Sequence, residues 1–133
     1  MQFIAYATAD LDRLRGWLAD SGAALAVEVL LVLGAYAGPR DGRPQELPGL
    51  LQRLDPDWGW SVCAFGPAEA ACLVVAAALG GGVRVGFENN LWLPDGRVAT
   101  DNAELVRHLV DALACVGLRP ASAEQTCARF LRG

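Results

Sequence analysis

Apolar and polar positions along the chain alternate between two rhythms, one of short continuous runs and one of helical spacing. Residues 3–7 form a brief apolar run rich in aromatics and predict a strand. Leu11, Leu14, Trp17 and Leu18 then fall on one helical face. Thr8 or Asp10 stands where a cap is needed, and Ser21-Gly22 ends the pattern. Residues 24–33 are rich in branched side chains, interrupted by Glu28, and predict a second buried strand before Gly34. A loop over 35–44 carries Gly38-Pro39-Arg40-Asp41-Gly42. Pro44-Gln45-Glu46 opens a second helix bearing Leu47, Leu50, Leu51 and Leu54, with Pro48 tolerable near its first turn.

Asp55-Pro56-Asp57 breaks that helix, and residues 58–65 predict a third strand ending at Gly66. Pro67 starts a helix over 68–79 that is apolar nearly all round, so it is expected to be buried on more than one side. Gly80-Gly81-Gly82 stops it. The next stretch, Val83-Arg84-Val85-Gly86-Phe87-Glu88-Asn89-Asn90, opens as a strand and turns polar at its end. Beyond the turn Leu93-Pro94-Asp95-Gly96, Asp101 and Glu104 form a capping-box pattern before Leu105, Val106, Leu109, Val110 and Leu113. Gly117 closes that helix, and Ser122 with Gln125 caps a short last one.

The order β-α-β-α-β-α-β-α-α predicts an α/β fold with a parallel sheet and right-handed crossovers, a single domain over 1–133. Four βα units are half of an eight-unit barrel. In such folds the carboxyl ends of strands carry the chemistry, which makes Arg84, Glu88 and Asn89 the first candidates. Arg84 and Glu88 are an even number of residues apart, so a strand would point both to one face. On the residues alone, a structural ion pair or a carboxylate capping the next helix stays open beside a functional site.

Composition sharpens this picture. A hydrophobic fraction of 53% and a mean hydropathy of +0.28 are high for 133 residues. A domain this small has little interior, so the excess predicts burial against a second copy or against the rest of a larger fold. The net charge of −4, with eleven scattered basic residues, argues against nucleic acid. No basic leader precedes the first apolar run, and runs 70–79 and 23–33 fall short of a membrane span, so a cytoplasmic protein is expected. Cys63, Cys72, Cys115 and Cys127 form no C-x-x-C pair and are expected to be small buried hydrophobes. No dinucleotide or P-loop glycine pattern follows any strand, and Gly80-Gly81-Gly82 is expected to be a helix stop. His108, the single histidine, is expected on the outside of its helix. Trp58, Trp60 and Trp92 are most simply packing residues, with Trp92 able to wall a site. Glu28 is either an inward carboxylate or part of an exposed edge.

Three segments carry a family resemblance: Trp60-Ser61-Val62-Cys63-Ala64-Phe65-Gly66, Ala76-Ala77-Ala78-Leu79-Gly80-Gly81, and Val83 through Asn90. Together with Leu93-Pro94-Asp95-Gly96, Ala99-Thr100 and Asn102-Ala103-Glu104-Leu105-Val106, they resemble the C-terminal half of the β-keto acid cleavage enzymes, of the 3-keto-5-aminohexanoate cleavage type. The resemblance implies a partial (β/α)8 TIM barrel and a divalent metal, usually zinc. That metal is held by a His-x-His pair from an early strand and a glutamate that matches Glu88. It also implies an arginine matching Arg84. The acid that commonly follows the glutamate is here Asn89, and an amide cannot serve as a base. The implied reaction is a retro-Claisen cleavage in amino-acid catabolism: a β-keto acid and acetyl-CoA give acetoacetate and a new acyl-CoA, a transferase activity. The metal would act as Lewis acid, Arg84 would stabilise oxyanion character, and Gly66 with Pro67 would lie where CoA phosphates often bind. His-x-His belongs to the family's first half-barrel and does not occur in this chain. The chain alone is therefore expected to be inactive. The alternative is a non-catalytic half-barrel that serves as an assembly module.

Overall fold

The computed structural model describes residues 1–22, 25–36 and 40–130. Four strands run parallel in consecutive order: β1 (Gln2–Ala5), β2 (Glu28–Ala35), β4 (Gly59–Ala64) and β5 (Gly82–Val83). The central pair is the longest, with Glu28 opposite Gly59 and Leu33 opposite Ala64. Helices α1 (Thr8–Ser21), α2 (Leu47–Leu51, preceded by a 3-10 turn at Pro44–Glu46), α3 (Glu69–Ala78) and α4 (Asn102–Cys115) connect and follow the strands. A last helix, α5, spans Ala123–Phe130.

Strand alternation sorts the side chains. Val29, Leu31, Leu33, Val62 and Ala64 meet Leu11, Leu14, Leu47, Leu50, Leu73, Leu109 and Leu113 in one core on the helical side. Leu30, Val32, Cys63 and Phe65 form a second, smaller cluster on the opposite face. The parallel α/β expectation is met. A half-barrel carries its helices on one outer face; that holds for α1 to α4 and fails for α5. Arg129 of α5 pairs with Glu28 at 3.3 Å. A cavity of about 620 Å³ separates its Gln125, Thr126 and Arg129 from Gln2, Leu30 and Ser61 of the inner face. Glu28 is thus a half-buried carboxylate of that inner face, which decides between the two alternatives.

Several local expectations are refined. Gly80 is left-handed at φ 89°; its N–H bonds Ala77 O, and the Gly81 N–H reaches back to Ala76 O, the pair of bonds of a Schellman stop. Gly81 is also required by packing, because an added Cβ would lie 2.1 Å from the Trp60 ring. A two-residue strand, β3 (Arg40–Asp41), pairs antiparallel with the end of β2, which the loop signals of 35–44 did not foretell. Residues 37–39 of that loop lie outside the described residues. The first helix is capped through Asp10, whose carboxylate accepts from the Tyr6 and Ala7 N–H groups at 2.8 and 2.9 Å. The strand expected over 83–88 is the main correction. The ladder ends once the Arg84 N–H meets Val62 O at 2.8 Å, and Gly86 at φ 155° turns the chain away. Glu88 and Asn89 therefore sit on a turn. The cysteine expectation holds for Cys63 and Cys72 and fails for Cys115 and Cys127, which are exposed because their helices face solvent there.

Candidate functional site

At the carboxyl ends of β2, β4 and β5 a cleft of about 280 Å³ opens between Tyr36, Phe65, Gly66, Glu88, Asn89 and Trp92. The local sequence builds its far wall. Asn89 and Asn90 N–H groups both bond Gly86 O, at 3.0 and 3.1 Å, and the Asn102 side chain accepts from the Phe87 N–H at 2.8 Å. That winding brings Arg84 and Glu88 together by a tight turn rather than by strand alternation. The guanidinium pairs with the Glu88 carboxylate and donates to Asn89 Oδ1 at 2.5 Å. All three sequence candidates thus form one cluster. Arg84 and Glu88 are exposed, whereas Asn89 is buried.

Two walls of the cleft come from other strands. Tyr36, just past β2, donates its phenol to the Glu88 carboxylate and to Glu88 O. Its ring meets Phe65 edge-on at 4.4 Å between centroids. Gly66 lines the cleft at φ 81°, packed so closely on Asp41 that a Cβ would lie 2.1 Å from its carboxylate. A carboxylate in contact with Gly66 repels a phosphate there, which weighs against the CoA contact expected at this glycine. Trp92, most simply read as a packing residue, lines the cleft. His108 lies exposed on α4 and lines a separate small cavity with Glu69, away from the cleft.

Beneath the turn, Asn90 binds the backbone of Trp92 on both sides. Its Oδ1 accepts from the Trp92 N–H at 2.9 Å, and its Nδ2 donates to Trp92 O at 2.7 Å. The same Nδ2 donates to Glu69 Oε2 at 3.0 Å. Burial pushes the Glu69 carboxyl up to about 7, against the bond from Asn90, the Gly86 backbone and the Arg84 charge. Burial likewise raises the Cys63 thiol, against the nearby Arg84 charge. Sequence reasoning missed Tyr36, Glu69 and Asn90 as site residues. Glu69 was visible as the single charged residue of an otherwise apolar helix; Tyr36 gave no signal.

The cluster can present a cation to an oxyanion through Arg84 and a carboxylate to a cation through Glu88. A zinc ion takes three or four protein ligands. Among the described residues no three His, Cys, Asp or Glu side chains gather to hold a metal ion. Among the described residues, the oxygens beside Glu88 include the Asn89 amide, already bonded to Arg84, and the Tyr36 phenol, already bonded to Glu88. The described residues therefore do not by themselves make a zinc site. Among the described residues no helix is long and apolar enough to cross a membrane.

Comparison with known proteins adds the context. A family described as beta-keto acid cleavage enzyme matches residues 1–130. The 3-dehydrocarnitine:acetyl-CoA trimethylamine transferase of Rhizobium meliloti is 31% identical over 87 residues, covering 63% of this chain and 29% of that protein. The 3-keto-5-aminohexanoate cleavage enzyme of Acetoanaerobium sticklandii is 34% identical over 79 residues, 59% of this chain and 29% of that protein. Its namesake from Fusobacterium nucleatum is 39% identical over 51 residues, 38% of this chain and 19% of that protein. The matched stretches thus span less than a third of each relative.

Proposed function

The chain belongs to the beta-keto acid cleavage enzyme family, and from that premise we propose that it forms the carboxy-terminal half of a barrel that cleaves a β-keto acid with acetyl-CoA, releasing acetoacetate and a new acyl-CoA. Relatives named for 3-keto-5-aminohexanoate cleavage and for acetyl-CoA support this choice of chemistry. The observation that carries it is the Arg84–Glu88–Asn89 cluster at the carboxyl ends of a parallel sheet. Glu88 is this chain's single contribution to a divalent metal site, and zinc is the proposed metal. The remaining ligands would come from outside the chain. Arg84 binds and neutralises oxygen charge developing on the substrate. Asn89 orients a substrate oxygen through its amide and transfers no proton.

The same incompleteness bears on assembly. Ile4 of the edge strand β1 is 57% exposed, although it lies in the sheet. Such an edge pairs readily with another strand. A family amino-terminal half, or a second copy, would close the sheet into a barrel. A second reading, a non-catalytic half-barrel serving assembly, is favoured by Asn89, because an amide stands where a base would be needed.

Reconstitution separates the two. Supplying a family amino-terminal half that carries His-x-His is expected to give zinc binding and acetoacetate release. Glu88→Gln is expected to abolish the metal gain, and Asn89→Asp to raise turnover. Robust turnover by this chain alone would refute the half-barrel reading. Equal zinc binding without Glu88 would remove the site assignment, and zinc binding without any turnover would favour the assembly reading.

A further inference from the structure

Helix α3 is apolar almost throughout, yet its first residue, Glu69, is a carboxyl only 2% exposed. One oxygen, Oε1, has no hydrogen-bond partner. The other accepts from Asn90 Nδ2 at 3.0 Å, and the Gly86 backbone also bears on the carboxyl. A buried carboxylate with an unmet oxygen is expensive; a neutral carboxyl in the same place costs far less. Neither oxygen lines the cleft, so Glu69 does not touch whatever binds there. Its side-chain partner, however, is the residue that immediately follows Glu88 and Asn89. Asn90 also holds both backbone groups of Trp92 and bonds Gly86 O through its own N–H. The turn from Gly86 to Trp92 is therefore tied to α3 through the contact of Glu69 with Asn90.

We propose that Glu69 is the positioning residue of this turn: as a neutral acid it anchors Asn90 to α3 and so aims Glu88 and Asn89 at the cleft. The inference rests on the functional reading of Glu88 and Asn89 given above. It explains why an acid occupies an apolar helix start without reaching the site. Ionisation of Glu69 would place charge beside its unmet oxygen and disturb the anchor. The groups that face it are Arg84 beyond β5, Cys63 on β4, Cys72 on α3 and His108 on α4.

The test follows backbone amide signals of Gly86, Asn90 and Trp92 by nuclear magnetic resonance, on the full chain. The pH is swept two units to either side of Glu69's value of about 7. The three signals are expected to move together with a midpoint near that value. In Glu69→Gln, which is neutral and keeps an acceptor for Asn90, they are expected to stay at their low-pH positions throughout. In Glu69→Ala they are expected to leave those positions at every pH, and zinc affinity of the reconstituted pair is expected to fall ~10-fold or more. His108→Gln is expected to leave the midpoint unchanged. A titration that persists in Glu69→Gln, or one that vanishes in His108→Gln, overturns the proposal; so do unaltered signals in Glu69→Ala. If Glu69→Ala does not fold, the other two variants still decide. A turn that titrates through Glu69 in a pair that binds no zinc overturns the functional reading and leaves the anchor standing. A zinc-binding pair whose turn ignores position 69 does the reverse.

Discussion

The helical side of the sheet and the turn at the end of β5 are built on opposite principles. On the helical side Leu11, Leu31, Leu33, Leu47 and Leu73 are fully buried hydrocarbon, and no charged side chain belongs to that core. At the turn, Glu69, Asn89 and Asn90 are buried polar groups, one of them with an unmet oxygen. The first region maximises apolar burial and asks nothing of chemistry. The second accepts desolvation to hold particular atoms at the mouth of a cleft. Stability and candidate chemistry are thus segregated within one small sheet, and each region answers to different perturbations.

The contrast breaks first in the core. Leu31→Ala is expected to cost about 2–5 kcal/mol in chemical denaturation, a large share of the roughly 5–15 kcal/mol of an ordinary domain, whereas Ile4→Ala, at a largely exposed position of the same sheet, should change little. A large loss from Ile4→Ala would instead signal that its face is already covered by a partner. Next comes the turn. Folding raises the Glu69 carboxyl from 4.5 to about 7, so the folded chain holds its proton over that window while the unfolded chain releases it. Stability is therefore expected to fall as pH rises from 4.5 to about 7 and then to level off. The loss is at most about 3 kcal/mol, and Glu69→Gln should flatten the slope. The smallest effect belongs to neither region. Asp101 Oδ1 accepts from the Glu104 N–H at 2.7 Å. Asp101→Ala is expected to cost about 1 kcal/mol by thermal unfolding without moving the amides of the turn.

What the sequence revealed follows the same division. β2 and β4 were legible because branched runs between turn residues have few alternatives once both faces are buried. The caps at Asp101 and Ser122 were legible because their geometry is local; Ser122 Oγ and Gln125 Oε1 each accept the other residue's N–H, at 3.1 and 2.8 Å. The length of the last strand was not. Val83, Val85 and Phe87 alternate as a strand should, but only β4 lies beside them, and Gly86 diverts the chain before more pairs form. Arg84, Glu88 and Asn89 were found by their types and by the family resemblance, though the turn that unites them was misjudged. Tyr36 could not be found, since its bond to Glu88 joins residues 52 positions apart. Cys115 was misread because an apolar neighbourhood in sequence does not say which side of a helix faces water.

The Tyr36 phenol and the Arg84 guanidinium hold different oxygens of the Glu88 carboxylate, Oε1 and Oε2. A species that grips both oxygens competes with these two donors. Its arrival is then an exchange of partners. The apparent affinity is lowered by the fraction of time the carboxylate is not free. What leaves Glu88 becomes available at once: a hydroxyl from the strand-two side and a cation from the strand-five side, both released where the incoming species lands. Occupation of one carboxylate thus arms its two former partners.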